Sequence, residues 1–137
     1  MWQRLGNSIN SRDKSSVNSL PIFVSLQGRP VMLLGEGAVA DAKARLLARA
    51  GGVVVRDEAA AASLAVIAMD DADKAEAAAA RLKARGVLVN VVDRPVLCDF
   101  TLPAIVDRSP VIIAIATGAS SASVAKALRQ WLEAALP

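Results

Sequence analysis

Two segments carry residue types whose spacing could do chemistry. Gly35-Glu36-Gly37-Ala38-Val39-Ala40 reads G-x-G-x-x-A and lies between an apolar run, Val31 to Leu34, and an amphipathic stretch beginning at Ala38. In that setting the first glycine permits a tight turn, the second lets a pyrophosphate approach the backbone, and Ala40 allows close helix-to-strand packing. The phosphates would then face the positive end of the helix. An ordinary strand-to-helix turn is the plainer alternative. Asp57 follows Gly37 by twenty residues, where a carboxylate could accept from a ribose hydroxyl and favour NAD. Arg56 beside it could instead meet a 2′-phosphate, which keeps NADP open, and both could be a solvated strand end.

The second segment is Asn90-Val91-Val92-Asp93-Arg94-Pro95, at the carboxyl end of another apolar run. A carboxylate at Asp93 could take or relay a proton beside a cofactor, although an isolated Asp after a strand commonly caps its own loop. A small-residue turn, Thr117 to Ser123, precedes the last helix; its amides and the Ser120 and Ser121 hydroxyls form either an N-cap or a second anion site. Arg94, Arg108 and Lys126 could bind substrate carboxylates, or be solvated charges. Cys98 lies next to Asp93's loop, but no His or second Cys is present to activate it.

Residues 1–19 are rich in Ser and Asn without a sustained apolar period and read as a tail. From Leu20 the periodicity predicts strands at 31–34, 53–55, 64–69, 87–92, near 100–106 and at 111–116. Helices are predicted over 38–50, 72–85 and about 121–136. Asp70 and Asp71 stand where they can cap the second helix. The order β-α-β-β-α-β-β-β-α, with strands apolar on both faces, points to an α/β fold with a parallel sheet. Trp131 and Leu128 on the last helix read as packing residues.

Composition narrows the function. With 137 residues the chain makes one compact domain, and 54% apolar residues can fill its core. The absence of His removes His-dependent triads and the usual zinc ligand, and a single Cys excludes an internal disulfide. Of the net +3 charge, +2 sits in residues 1–19 (Arg4, Arg12 and Lys14 against Asp13), leaving +1 for the rest and no basic surface for nucleic acid. No apolar run reaches the ~18 residues of a membrane span, so a cytoplasmic protein is expected.

Several segments occur together and in order: Leu20-Pro21-Ile22-Phe23, the glycine loop with A-x-x-K-A-R-L-L-x-x-A-G (Ala40 to Gly51), Ala68 to Asp73, N-V-V-D-R-P, and D-F-T-L-P-A-I-V-D-R-S-P (Asp99 to Pro110). With the small-residue turn, they resemble the precorrin-2 dehydrogenase / sirohydrochlorin ferrochelatase family, the N-terminal module of siroheme synthase. The resemblance implies NAD-dependent oxidation of precorrin-2 to sirohydrochlorin, with insertion of ferrous iron, itself a substrate, in the bifunctional members. It implies a Rossmann-like NAD-binding domain over 20–99, then a β-rich dimerisation segment and terminal helix over 100–137 that make a homodimer. The family's catalytic aspartate falls on Asp93, and the serine phosphorylated in some relatives on Ser121. Cofactor binding then falls on Gly35, Glu36, Gly37, Ala38, Val39, Asp57, Asp70 and Asn90. Substrate binding falls on Arg94, Arg108, Ser120, Ser121 and Lys126.

The chain departs from that pattern twice. Relatives have a further helix and strand after the second strand, where this sequence has only Glu58 to Ser63; six extended residues reach ~20 Å, barely enough to cross a neighbouring strand. The second strand is therefore expected to be short and to form the sheet edge, with a shallow adenosine pocket. Relatives also carry a helical part beyond the position of Pro137, so the tetrapyrrole site is expected to be open or completed by another chain. A non-catalytic NAD- or tetrapyrrole-binding dimer is the alternative to an enzyme.

Overall fold

A computed structural model describes residues 19–117 and 122–137. Strand β1 (Pro30–Leu34) has four consecutive buried residues, which only a strand covered on both faces can have. Helix α1 (Ala38–Arg49) follows it, then β2 (Val53–Val55), β3 (Leu64–Ile67), helix α2 (Ala72–Ala84) and β4 (Leu88–Val91). The four strands form one parallel sheet in the order β2-β1-β3-β4.

Alternation along the strands sorts the core into two layers. Val31, Leu33 and Val66 pack with Ala40 and Leu47 of α1. Met32, Leu34, Ala65, Ile67, Val89 and Val91 pack with Ala75, Ala78, Ala79 and Leu82 of α2. The helices thus cover opposite faces, and the winding direction reverses between β1 and β3. In an open parallel sheet, the crevice beyond the carboxyl ends of such a strand pair is where ligands bind. Both helices end in the same way: Gly51 and Gly52 amides bond to Ala48 and Leu47 carbonyls, and Gly86 and Val87 amides to those of Lys83 and Leu82. Closing the last carbonyls inward returns the chain at once to β2 and β4.

β2 is three residues long and lies at the edge, as the short link requires. The link, 56–63, crosses on the α2 face, where Ala62 joins the core and Arg85 donates to the carbonyl of Ala60 at 2.9 Å. Glu58 accepts from Arg81 Nε at 2.7 Å and Nη2 at 3.1 Å. The Arg81 hydrogen bond holds the Glu58 carboxyl below its ordinary value of 4.5, aided by the Arg81 and Arg85 charges and opposed by desolvation. A carboxyl lowered on folding stabilises the native state above its unfolded value, and that contribution disappears as pH falls through the folded one. Glu58→Gln is therefore expected to lower the urea midpoint slightly at about pH 7 and to match the wild type once pH has fallen through the lowered folded value, the effect being small because both side chains are solvent-accessible.

Beyond β4 the chain makes a 3₁₀ turn (Pro95–Leu97), then the antiparallel pair β5 (Ala104–Arg108) and β6 (Val111–Ile115), and finally helix α3 (Ala122–Ala135). The peptide bond between Ser109 and Pro110, in the β5–β6 turn, is cis. Val106 and Ala125 are buried. The expectation that Leu128 and Trp131 pack is corrected: they are 43% and 66% exposed. Two strands cover only part of α3's apolar face, so Val111, Ile112, Val124, Leu128 and Trp131 all remain in solvent. The apolar stretch Leu20 to Val24 is likewise exposed and has no regular structure.

Candidate functional site

The site forms where β1, β3 and β4 end side by side. Gly35 leaves β1 with φ 119, and a Cβ built there would stand 1.9 Å from the carbonyl oxygen of Ala68, so the loop presses against the end of β3. Gly37, with φ 100, is the N-cap of α1, and among the described residues no side chain caps that helix. A Cβ on Gly37 would meet nothing within 4 Å. The loop is therefore tight against the sheet at its first glycine and open at its second. First-turn amides of an α-helix have no intrahelical partner, and without a capping side chain they suit an anion. Ala40 is fully buried among Val31, Leu33 and Val66, as the third position of the pattern requires. These features fit a dinucleotide pyrophosphate lying on Gly35, Glu36, Gly37, Ala38 and Val39.

Arg56 Nη1 donates to the carbonyl of Gly35 at 3.0 Å and ties the end of β2 to this loop. Asp57 beside it accepts the Ala59 amide on Oδ1 at 2.9 Å. After β3, Asp70 is exposed, and Asp71 caps α2 by accepting from the amides of Asp73 and Lys74 at 3.0 and 3.1 Å.

β4 lies two strands from β1, or roughly 10 Å at normal strand spacing. Its end delivers Asp93 in a turn closed by the Arg94 amide on the Val91 carbonyl at 3.1 Å. Asp93 has φ 62, a left-handed conformation that Asp and Asn tolerate better than most residues, and its side chain is exposed. Asn90, expected to face the cofactor, is buried and donates its amide to the Phe100 carbonyl at 2.8 Å. Leu97 and Cys98 pack on the α2 face, Phe100 and Leu102 on the α1 face, so the chain wraps round the free edge of β4.

The other expected residues are dispersed. Arg94 is half-buried beside Asp93, and Lys126 is exposed on α3. Arg108 turns toward α3 and donates to the Glu133 carbonyl at 2.8 Å and to the Asp107 carbonyl at 3.1 Å. It lines a polar cleft of about 510 Å³ with Arg49, Arg129 and Glu133, beside the far end of α1 from the glycine loop. Ser120 and Ser121 lie outside the described residues. A smaller cavity of about 220 Å³, lined by Val24, Leu26, Pro30 and Leu64, is at the amino ends of the strands, opposite the glycine loop and Asp93. Sequence reading missed two things here: the Arg56 clasp and the partners of the Cys98 thiol, which bonds to Val91 and Arg94. Both depend on strand order, for which a local pattern gives no signal.

Comparison with known proteins points the same way. A family model described as "Putative NAD(P)-binding" matches residues 54–104. Siroheme synthase of Ectopseudomonas mendocina is 37% identical over 86% of this chain and 31% of that protein. Siroheme synthase of Pseudomonas putida is 39% identical over the same shares. This chain thus spans about a third of the length of these relatives. Among solved structures, "SirC, precorrin-2 dehydrogenase" superposes with a TM-score of 0.67 at 18% identity, covering 87% of this chain and 72% of that one, which shows a shared fold. With its glycine loop, its reversed winding and its N-V-V-D strand end, the chain is similar over most of its length to part of siroheme synthase and shares the fold of a precorrin-2 dehydrogenase.

Proposed function

We propose that the chain oxidises precorrin-2 to sirohydrochlorin with NAD, as a cytoplasmic homodimer. The observation that carries this reading is the pairing of an uncapped glycine loop after β1 with the exposed Asp93 carboxylate after β4, on one end of one sheet. Bound NAD would accept the hydride. The amides of Gly35 to Val39 hold its pyrophosphate, and Asp57 Oδ2 takes the ribose hydroxyl. Arg56, already bonded to Gly35, is less available to a 2′-phosphate, which supports NAD over NADP. Asp93 accepts the proton that leaves the tetrapyrrole carbon framework as the hydride departs. Arg94, next in the chain and half-buried, would meet a substrate carboxylate.

Residues 20–99 form the cofactor-binding unit in this reading, and 100–137 the dimerisation unit. The dimer reading rests on Val111, Ile112, Val124, Leu128 and Trp131, an exposed apolar group on a two-stranded sheet and one helix, an arrangement too small to be stable alone. Insertion of ferrous iron, with Asp93 drawing protons from the pyrrole nitrogens, extends the same site to a second step.

The test is anaerobic mixing of the purified chain with NAD and precorrin-2, following NADH absorbance. NADH formation at a rate proportional to protein concentration is expected. NAD binding without turnover would overturn the enzyme reading in favour of a non-catalytic cofactor- or tetrapyrrole-binding dimer.

A further inference from the structure

We propose that Cys98 and Asp99 are positioning residues for Asp93, closing the free edge of β4 and so holding the turn that presents the carboxylate. The inference rests on Asp93 being the proton acceptor. β4 has a neighbour on one side only. The amides of Leu88 and Val92 donate to the carbonyls of Ser63 and Ile67 on the β3 side, both at 3.0 Å. In a parallel ladder the intervening odd residues, Val89 and Val91, direct their N–H and C=O groups to the other side. Their side chains are buried in the core, so these four polar groups need partners.

The returning chain supplies partners without adding a regular strand. Asp99 accepts the Val89 amide on Oδ2 at 3.0 Å and gives its own amide to the Val89 carbonyl at 2.7 Å. The Cys98 sulfur accepts the Val91 amide and donates to the Val91 carbonyl, each at 3.2 Å, with the Arg94 carbonyl 3.4 Å away. Val91 and Arg94 are the two ends of the turn that sets Asp93 at φ 62. One sulfur atom therefore touches both ends of that turn. Lys83, 3.6 Å from Asp99 Oδ1, ties the clamp to α2. A left-handed non-glycine residue persists when its surroundings over-determine it, and here two consecutive side chains do so.

The test measures kcat and KM for NADH formation from precorrin-2, together with hydrogen exchange at the Arg94 amide. The variants are Cys98→Ala, Cys98→Ser, Asp99→Ala and Asp99→Asn, with Asp93→Asn as reference. Misplacing a reacting group by ~1 Å costs up to about 10²-fold, so each alanine variant is expected to lose about tenfold or more in kcat with KM nearly unchanged. Exchange at Arg94 should accelerate in parallel. Ser and Asn retain a hydrogen-bonding atom at the same place and should restore both readouts. Full kcat in the alanine variants with an inactive Asp93→Asn would overturn the clamp and leave the Asp93 reading standing. Full activity in all variants would overturn the Asp93 reading, and the positioning role with it. Equal losses in the Ala and Ser variants, tracking a lower unfolding midpoint, would mark a purely structural role and also overturn the proposal. A wild type without turnover would remove the basis of the positioning role, and unchanged exchange in the alanine variants would independently refute the clamp.

Discussion

Asp93→Asn is expected to lower kcat for NADH formation by about 10²–10⁴-fold, the usual contribution of a positioned general base, while NAD affinity stays at the wild-type value. Asparagine has the shape of aspartate and accepts the left-handed backbone nearly as well, so the turn at φ 62 survives. Among the described residues the Asp93 carboxylate has no hydrogen-bond or ion-pair partner, so the substitution breaks no contact among them. Stability should therefore stay within about 0.5 kcal/mol of wild type, as for exposed positions in general. Asp93→Ala is a poorer test, because alanine in a left-handed conformation costs roughly 1–2 kcal/mol and would loosen the turn as well. A loop-capping role predicts the opposite pattern, with Asn neutral to activity. A kcat within threefold of wild type would remove Asp93 from the mechanism.

The sequence reading carries this far because the determinants of the glycine loop are local. Gly35, Gly37 and Ala40 lie within six residues, and each does in the structure what its size allows: close approach, an open cradle, and burial under α1. The edge position of β2 was legible for a different reason, since the reach of a short link limits which strand can follow it. The contacts round Asp93 were not legible. Cys98 and Asp99 act on Val91 and Val89 only because β4 is an edge strand, and that follows from the order of all four strands. Asn90 shows the same dependence: at a strand's carboxyl end it reads as a cofactor ligand, yet the chain wrapping the edge brings the Phe100 carbonyl within 2.8 Å of it. Arg108 turns away because α3 packs on its hairpin and leaves a helix-terminal carbonyl to be capped. Leu128 and Trp131 read as core because an amphipathic period marks an apolar face, without saying whether the rest of the chain covers it.

Gly35→Ala is expected to destabilise the fold by about 3 kcal/mol or more, a large share of the 5–15 kcal/mol typical of a domain. Two costs combine. At φ 119 an L-residue is in a conformation open essentially to glycine, and the new Cβ would stand 1.9 Å from the Ala68 oxygen and 2.5 Å from its carbonyl carbon. The obstacle is backbone and cannot rotate aside. Ala68 is also fixed, because its own amide bonds to the Leu34 carbonyl at 2.7 Å, directly before the glycine loop. Moving Ala68 away would pull β3 from β1 at the point where the two strand ends form the crevice. Gly37→Ala separates this structural role from binding. Its Cβ meets no atom within 4 Å, so only the dihedral strain at φ 100 applies, about 1–3 kcal/mol, and the protein should still fold. That Cβ instead enters the open space over the uncapped start of α1, where a pyrophosphate would lie, so NAD affinity should fall by about tenfold or more while the unfolding midpoint moves less than in Gly35→Ala. Urea unfolding and NAD titration of the two variants side by side check the assignment. Equal stability loss in both, or unaltered NAD affinity in Gly37→Ala, would show that the loop is a strand-to-helix turn and nothing more.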